Sequence, residues 1–145
     1  MRLVGAVLAF ILLACDGMRA QNAELKFQAM LVWGTNDSKS PDPKHKPVEP
    51  EIKKKLKRLP LKWANYFEVD RKNMAVPPKG SQKVGLGRCE LEVKDLGSPN
   101  LEIAQYGKGK PVVRQIQTLP KGEVLVLGGN APNDTAWLVI LKRVE

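Results

Sequence analysis

The stretch Glu24–Trp33, ELKFQAMLVW, predicts a β-strand that has one face inside a hydrophobic core. Successive side chains of a strand point to opposite faces, so a period of two in hydrophobicity marks a strand with a buried face. The residues that share the apolar face are Leu25, Phe27, Ala29, Leu31 and Trp33. The opposite face also becomes apolar towards its end, at Met30 and Val32. We therefore expect a first strand that is buried on one face and partly covered on the other.

The chain after residue 60 reads as short strands separated by turns. Alternating or apolar runs occupy residues 61–70, 82–86, 89–95, 101–106, 111–119, 124–127 and 136–141. Pro- and Gly-rich stretches such as 77–81 and 120–122 have the composition of tight turns. Both faces of 124–127 and 136–141 are apolar, which is typical of central strands, and residues 128–135 are expected to form the loop between them. The pattern predicts an antiparallel β-sandwich, or a partly open barrel, of about seven to eight strands.

One short helix is expected after the first strand, in Pro50–Leu59, PEIKKKLKRL. Pro50 and Glu51 suit a helix N-terminus, and Pro60 ends the segment. Ile52, Leu56 and Leu59 lie at helical spacing and form a stripe that would pack on a sheet. The basic residues that point away from this stripe are Lys53, Lys54, Lys57 and Arg58. Residues 34–50, which precede the helix, are rich in proline and are expected to form an irregular loop.

The N-terminus has the pattern of a secretory signal peptide. Arg2 is followed by an uncharged apolar run, Leu3–Ala14, which is shorter than the roughly 20 residues needed to span a bilayer. We expect a signal peptide in residues 1–20 and a single β-rich domain in residues 21–145. As an alternative, Leu12–Cys15 resembles the lipobox of bacterial lipoproteins, in which cleavage precedes a lipidated Cys15. Either reading predicts an exported protein that is periplasmic, envelope-associated or extracellular, with no transmembrane span in the mature chain.

Few residues suggest catalysis or metal binding. His45 is the only histidine, and we expect an exposed imidazole that is far from any activated nucleophile. Neither the zinc nor the EF-hand ligand spacing occurs, and the glycines do not form a phosphate-binding motif. Once Cys15 is removed or lipidated, Cys89 has no partner for a disulfide, and its place in an alternating strand predicts a buried thiol. We expect no catalytic residue, no metal and no cofactor, and a function that is more readily non-enzymatic.

The positive charge suggests which partners the domain could bind. The chain carries a formal net charge of +9, and its basic residues are concentrated on the predicted helix. Lysines and arginines bind anionic groups, so we expect Lys53, Lys54, Lys57 and Arg58 to dock an anionic envelope polymer, lipid headgroups or an acidic protein. A nucleic-acid partner is not expected, since Trp63 and Phe67, although they lie beside the basic run, are on the apolar face of their strand and are better explained as core residues.

Three functions are compatible with the sequence. The first is an exported, non-catalytic binding or structural module that uses the basic helix. The second is a lipoprotein, anchored through Cys15, that serves as an assembly or scaffolding subunit. The third is a small extracytoplasmic hydrolase whose site lies on loops. Asn36 and Asn133 both begin N-x-[ST] triplets, which would accept glycans in a eukaryotic secretory pathway. Chance occurrence is the better interpretation, because the lipobox-like sequence at Cys15 points towards bacteria.

Overall fold

A computed structural model describes residues 24–97, 99–107, 109–131 and 135–144. The predicted signal peptide, Cys15 and Asn133 lie outside the described residues. The secondary-structure elements, in chain order, are β1 Leu25–Thr35, β2 Lys46–Pro47, α1 Pro50–Lys57, β3 Asn65–Val76, β4 Ser81–Leu86, β5 Cys89–Asp95, β6 Asn100–Gly107, β7 Lys110–Thr118, β8 Val124–Ala131 and β9 Thr135–Arg143.

The strands form two antiparallel sheets, which confirms the predicted sandwich. One sheet has five strands in the order β2–β3–β1–β9–β8, and the other has four in the order β4–β5–β6–β7. The main core lies between them and combines side chains of both sheets, among them Phe27, Leu31, Leu91 and Ile103. Each of these four side chains is at most 1% exposed. Burial of apolar surface between the sheets is therefore the main stabilising contribution.

Strand β1 lies near the middle of the five-stranded sheet, between β3 and β9. Its predicted inner face is confirmed at Phe27, Ala29 and Leu31, which belong to the core between the sheets, whereas Trp33 is only half-buried. The register with β3 shifts between Leu31 and Val32, which marks a bulge. The opposite face, through Met30 and Val32, belongs to a second cluster on the outside of the sheet. The apolar residues on both faces of β1 thus each have a packing partner.

Helix α1 covers the outer face of the five-stranded sheet. Ile52 and Leu56 are each 1% exposed and pack with Met30, Val32 and Ile140 of the sheet. The helix begins at Pro50, as predicted, but it ends at Lys57 instead of Leu59. The residue before a proline avoids the helical conformation, which accounts for the early end before Pro60. The prediction that Leu59 packs on the sheet with Ile52 and Leu56 is therefore wrong, because Leu59 is 39% exposed.

Several predicted boundaries differ from the structure. Residues 61–64 are not part of a strand, because β3 starts only at Asn65. Strand β8 is an edge strand, so the prediction that 124–127 is central is wrong. It continues to Ala131 and pairs with β9 from Thr135 onward, so most of the predicted loop is strand. The Pro-rich segment 34–50 contains the short strand β2, in which Lys46 pairs with Glu68 and Pro47 with Phe67.

Strand β8 is apolar on both faces although it is an edge strand. Helix α1 and the segment after it cover its outer face. Val124 and Val126 pack against the cluster under the helix, while Leu125 and Leu127 pack against the main core. An edge strand can therefore be apolar on both faces when a helix covers the outer face of its sheet. In the part of the chain that is described, no helix combines the length and hydrophobicity needed to cross a membrane.

Candidate functional site

The candidate site consists of the exposed basic face of α1. Lys53, Lys54, Lys57 and Arg58 are all exposed, as the helical spacing predicted. Their exposure follows from the burial of Ile52 and Leu56, because residues on opposite sides of one helix cannot both face the sheet. We call these four basic residues the basic face.

The acidic residues near the helix interact with cations outside the basic face. Glu51 lies 3.4 Å from Lys142 Nζ of β9, and Glu49 Oε1 lies 2.8 Å from Arg71 Nη2 of β3. Within the described residues, no side chain of the basic face forms an ion pair within 4.0 Å. The four positive charges are therefore available to an external anion.

Lys55 has a different role from its neighbours. Its side chain is half-buried, and its Nζ donates a hydrogen bond of 3.0 Å to the carbonyl oxygen of Gly122 in the turn before β8. This bond joins the helix to the edge of the sheet beneath it. Lys55 is thus a structural residue between Lys54 and Lys57, although sequence alone does not distinguish the three.

An apolar groove, which the sequence did not reveal, begins where the basic face ends. Leu59, Leu61 and Trp63, in the segment after α1, form one wall. Val126, Ala136 and Leu138 of β8 and β9 form the other side, and the groove has a volume of about 360 Å³. We call it the apolar groove. The groove arises because residues 59–63 do not pair with the sheet.

A glycine helps to shape the floor of the apolar groove. Gly128 of β8 pairs with Leu138 of β9, and the Leu138 side chain leans across it. A Cβ atom at position 128 would lie 2.5 Å from Leu138 Cδ2. Real Cβ atoms do not approach other atoms so closely, so any other residue would push Leu138 aside.

His45 is not the exposed, isolated imidazole that the sequence suggested. Its side chain is 14% exposed, and its Nδ1 lies 2.6 Å from Ser40 Oγ. Its Nε2 lies 3.7 Å from Asp42 Oδ2. The three residues border a cavity of about 300 Å³ that Phe67 also lines. The expectation failed because Ser40 has no recognisable motif, and only the path of the loop brings its hydroxyl to the ring.

The same loop is also held by local hydrogen bonds. The backbone N–H of Lys44 donates to Asp42 Oδ1 at 2.9 Å, and that of Asp42 points to Ser40 Oγ at 3.4 Å. Asx- and serine-type turns of this kind order Pro-rich loops. The His45 imidazole could act as a base towards the Ser40 hydroxyl, and the Asp42 carboxylate lies on the far side of the ring.

Cys89 is the one free thiol among the described residues. It is half-buried at the start of β5 and packs against the main core, in line with the predicted strand position. Burial, and then the nearby Glu90 carboxylate, raises the pKa of the Cys89 thiol. A thiol with a raised pKa is a poor nucleophile at neutral pH, so Cys89 fits a packing role.

Other sites and relatives give no further guide to function. Across the described residues, no three His, Cys, Asp or Glu side chains are grouped so that they could hold a metal ion. The chain matches no protein-family model, and no curated protein or solved structure resembles it at a significant level. Function must therefore be inferred from the geometry of the chain itself.

Proposed function

We propose that this protein is an exported, non-catalytic binding module that docks anionic groups through Lys53, Lys54, Lys57 and Arg58. The observation that carries the proposal is that all four cations are exposed on one helix and none is paired with a carboxylate among the described residues. Phosphate and carboxylate groups of an envelope polymer, a lipid headgroup or an acidic protein share the chemistry that such a face recognises.

Packing supports a rigid presentation of these charges. Ile52 and Leu56 hold the helix on the sheet, while Lys55 ties it to Gly122 and Glu51 ties it to Lys142. A rigid surface loses less conformational entropy on binding than a flexible basic tail would. The export part of the proposal depends on the apolar run Leu3–Ala14, which has the length and composition of a signal-peptide core.

The test is charge reversal of the basic face. We expect the wild-type domain to bind polyphosphate, and vesicles that contain phosphatidylglycerol, with an affinity that falls as salt is added. Each lysine near an anionic membrane contributes about 1 kcal/mol, so changing all four residues to Glu should weaken vesicle binding at least about 100-fold.

The matched control changes to Glu four exposed lysines that lie outside the basic face: Lys72, Lys94, Lys110 and Lys121. This control has the same net charge as the test variant, and it separates local recognition from general electrostatic attraction. Equal loss of binding in both variants would contradict a defined basic face. Binding that neither salt nor either variant changes would contradict the proposal as a whole.

A second candidate function follows from the 2.6 Å contact between Ser40 Oγ and His45 Nδ1. In the tautomer that leaves Nδ1 unprotonated, His45 could accept the hydroxyl proton while Ser40 attacks an ester carbonyl. The same proton would pass to the departing alcohol, and water would then release the acyl group. Asp42, at 3.7 Å, would stabilise the imidazolium electrostatically.

This candidate is tested by labelling with a serine-reactive fluorophosphonate and by hydrolysis of p-nitrophenyl acetate. Ser40→Ala should abolish both if the pair is catalytic. Ser38→Ala is the matched control, because Ser38 lines the same cavity without contacting the imidazole. If the wild-type protein is not labelled, or if Ser40→Ala retains activity equal to that of Ser38→Ala, the hydroxyl only orders the loop.

A further inference from the structure

The apolar groove is lined by side chains that offer almost no hydrogen-bonding groups. Its residues are leucine, proline, valine, alanine, glycine and Trp63. A peptide that lay across these side chains, rather than pairing with the edge of β8, would have to bury backbone N–H and C=O groups without partners, which is costly. An alkyl chain has no polar group to satisfy and gains the full benefit of burial. The lining therefore favours an aliphatic occupant.

The size of the apolar groove indicates how much of a ligand it can hold. Its volume of about 360 Å³ lies at the lower end of the range of small-molecule sites. One wall, Leu59, is 39% exposed, so the groove is open to solvent along its side. These dimensions suit a single alkyl chain better than the two chains of a bilayer phospholipid.

Basic residues neighbour the wall of the apolar groove in the chain. Lys57 and Arg58 are exposed and immediately precede the groove wall at Leu59 in the chain. Lys62 Nζ also lies 5.7 Å from the centre of the Trp63 ring, which itself lines the groove. Among the described residues, no acidic side chain lines the groove. A ligand with an aliphatic tail and an anionic head would complement both features together.

We propose that the apolar groove binds the alkyl chain of a single-chain anionic amphiphile, whose carboxylate or phosphate head lies against Lys57 and Arg58. This inference rests on the proposed function, since it takes the anion-binding role of the basic face as given and specifies the ligand class. The ligand is held at two points, the tail by Leu59, Leu61 and Trp63 and the head by the C-terminal end of the basic face.

The experiment measures binding of decanoate, below its micelle concentration, by calorimetry. We expect decanoate to bind at least tenfold more tightly than decanol, which lacks the charge, and than acetate, which lacks the tail. Leu59→Gln should weaken decanoate binding about five- to tenfold, and Leu59→Phe, which keeps the wall apolar, should retain it. Leu96→Gln is the matched control, because Leu96 is 40% exposed and lies away from the groove.

The outcomes separate this inference from the proposed function. If Leu59→Gln binds decanoate like the wild type, or if decanoate does not bind, the inference is wrong. The proposed function then still stands, provided that reversal of the basic face abolishes polyphosphate binding. If an acidic amphipathic peptide binds in the groove and competes successfully with decanoate, the occupant is a peptide and the inference is overturned. If the reversal changes binding of neither polyphosphate nor decanoate, both proposals are wrong.

Discussion

Arg71 of β3 bridges Glu49, which precedes the helix, and Glu68 of its own strand. Its Nη2 lies 2.8 Å from Glu49 Oε1, and its Nε donates to Glu68 Oε1 at 2.6 Å. The guanidinium group thus joins the start of α1 to the sheet by charge-assisted hydrogen bonds, which are stronger than neutral ones. The N-terminal end of the helix is held by this bridge, and its middle is held by packing.

Replacement of Arg71 should therefore destabilise the domain. The Arg71 side chain is 31% exposed and that of Glu68 is 20% exposed, so the pair is better shielded than a fully exposed ion pair. We expect Arg71→Met to lower the free energy of unfolding by about 1–2 kcal/mol, because it leaves Glu68 without its partner. Urea unfolding would measure the change. Lys72→Met, an exposed neighbour on β3, is the control and should change stability by less than about 0.5 kcal/mol.

The burial of Ile52 predicts that the helix is part of the folding core. Ile52 is 1% exposed against the outer face of the sheet, and Ile52→Ala should cost about 2–4 kcal/mol. Leu59→Ala should cost less than about 1 kcal/mol, since Leu59 is 39% exposed. Thermal unfolding of both variants tests the difference. Equal effects would mean that the helix stripe extends to residue 59 in solution.

The close approach of Leu138 to Gly128 makes a third prediction. Gly128→Ala should destabilise the domain by about 1–2 kcal/mol, because the added methyl group overlaps Leu138 Cδ2. Gly85→Ala is the control, since a Cβ there meets no atom within 4 Å. In a double-mutant cycle, Leu138→Ala should relieve part of the cost of Gly128→Ala. Strict additivity of the two substitutions would show that they do not interact.

The raised pKa of Cys89 predicts a loss of stability in alkaline solution. Burial, followed by the Glu90 charge, makes the folded protein hold the thiol proton more tightly than the unfolded chain does. The associated stability is fully present below the unfolded pKa of about 8.5, and it is lost as the pH rises from there to the folded pKa. Urea unfolding at pH 7.5 and pH 9.5 should show a smaller decrease for Cys89→Ala than for the wild type. An identical decrease would mean that the thiol does not contribute.

The sandwich was predictable because period-two alternation directly reports which side chains share a face. Phe27 and Leu31 lie on the predicted inner face, and strand β5 has its predicted bounds, Cys89–Asp95. Strand order was harder to predict. The apolar pattern of 124–127 indicated burial on both faces. In the structure, α1 and the segment after it cover one of these faces. Hydrophobicity along the sequence shows that a face is buried, but it does not show whether a helix or another sheet covers it.

The basic face was predictable for a similar reason, whereas the two cavities were not. Helical spacing separates Lys53, Lys54, Lys57 and Arg58 from Ile52 and Leu56 whatever the tertiary structure. The apolar groove depends instead on how residues 59–63 cross the sheet, and the contact between Ser40 and His45 depends on the path of a loop. The course of these two segments leaves no periodic signal in the sequence, so neither site could be predicted without the three-dimensional structure.

Helix α1 separates the residues that stabilise the fold from those that form its exposed surface, and this affects which substitutions the helix can accept. In its eight residues, the positions that hold the fold (Glu51, Ile52, Lys55 and Leu56) are interspersed with the exposed positions Lys53, Lys54 and Lys57. Substitutions at the second group can alter the charge and shape of the surface without disturbing the packing beneath it. Substitutions in evolution or by design can therefore change which ligand this surface prefers while the fold stays the same.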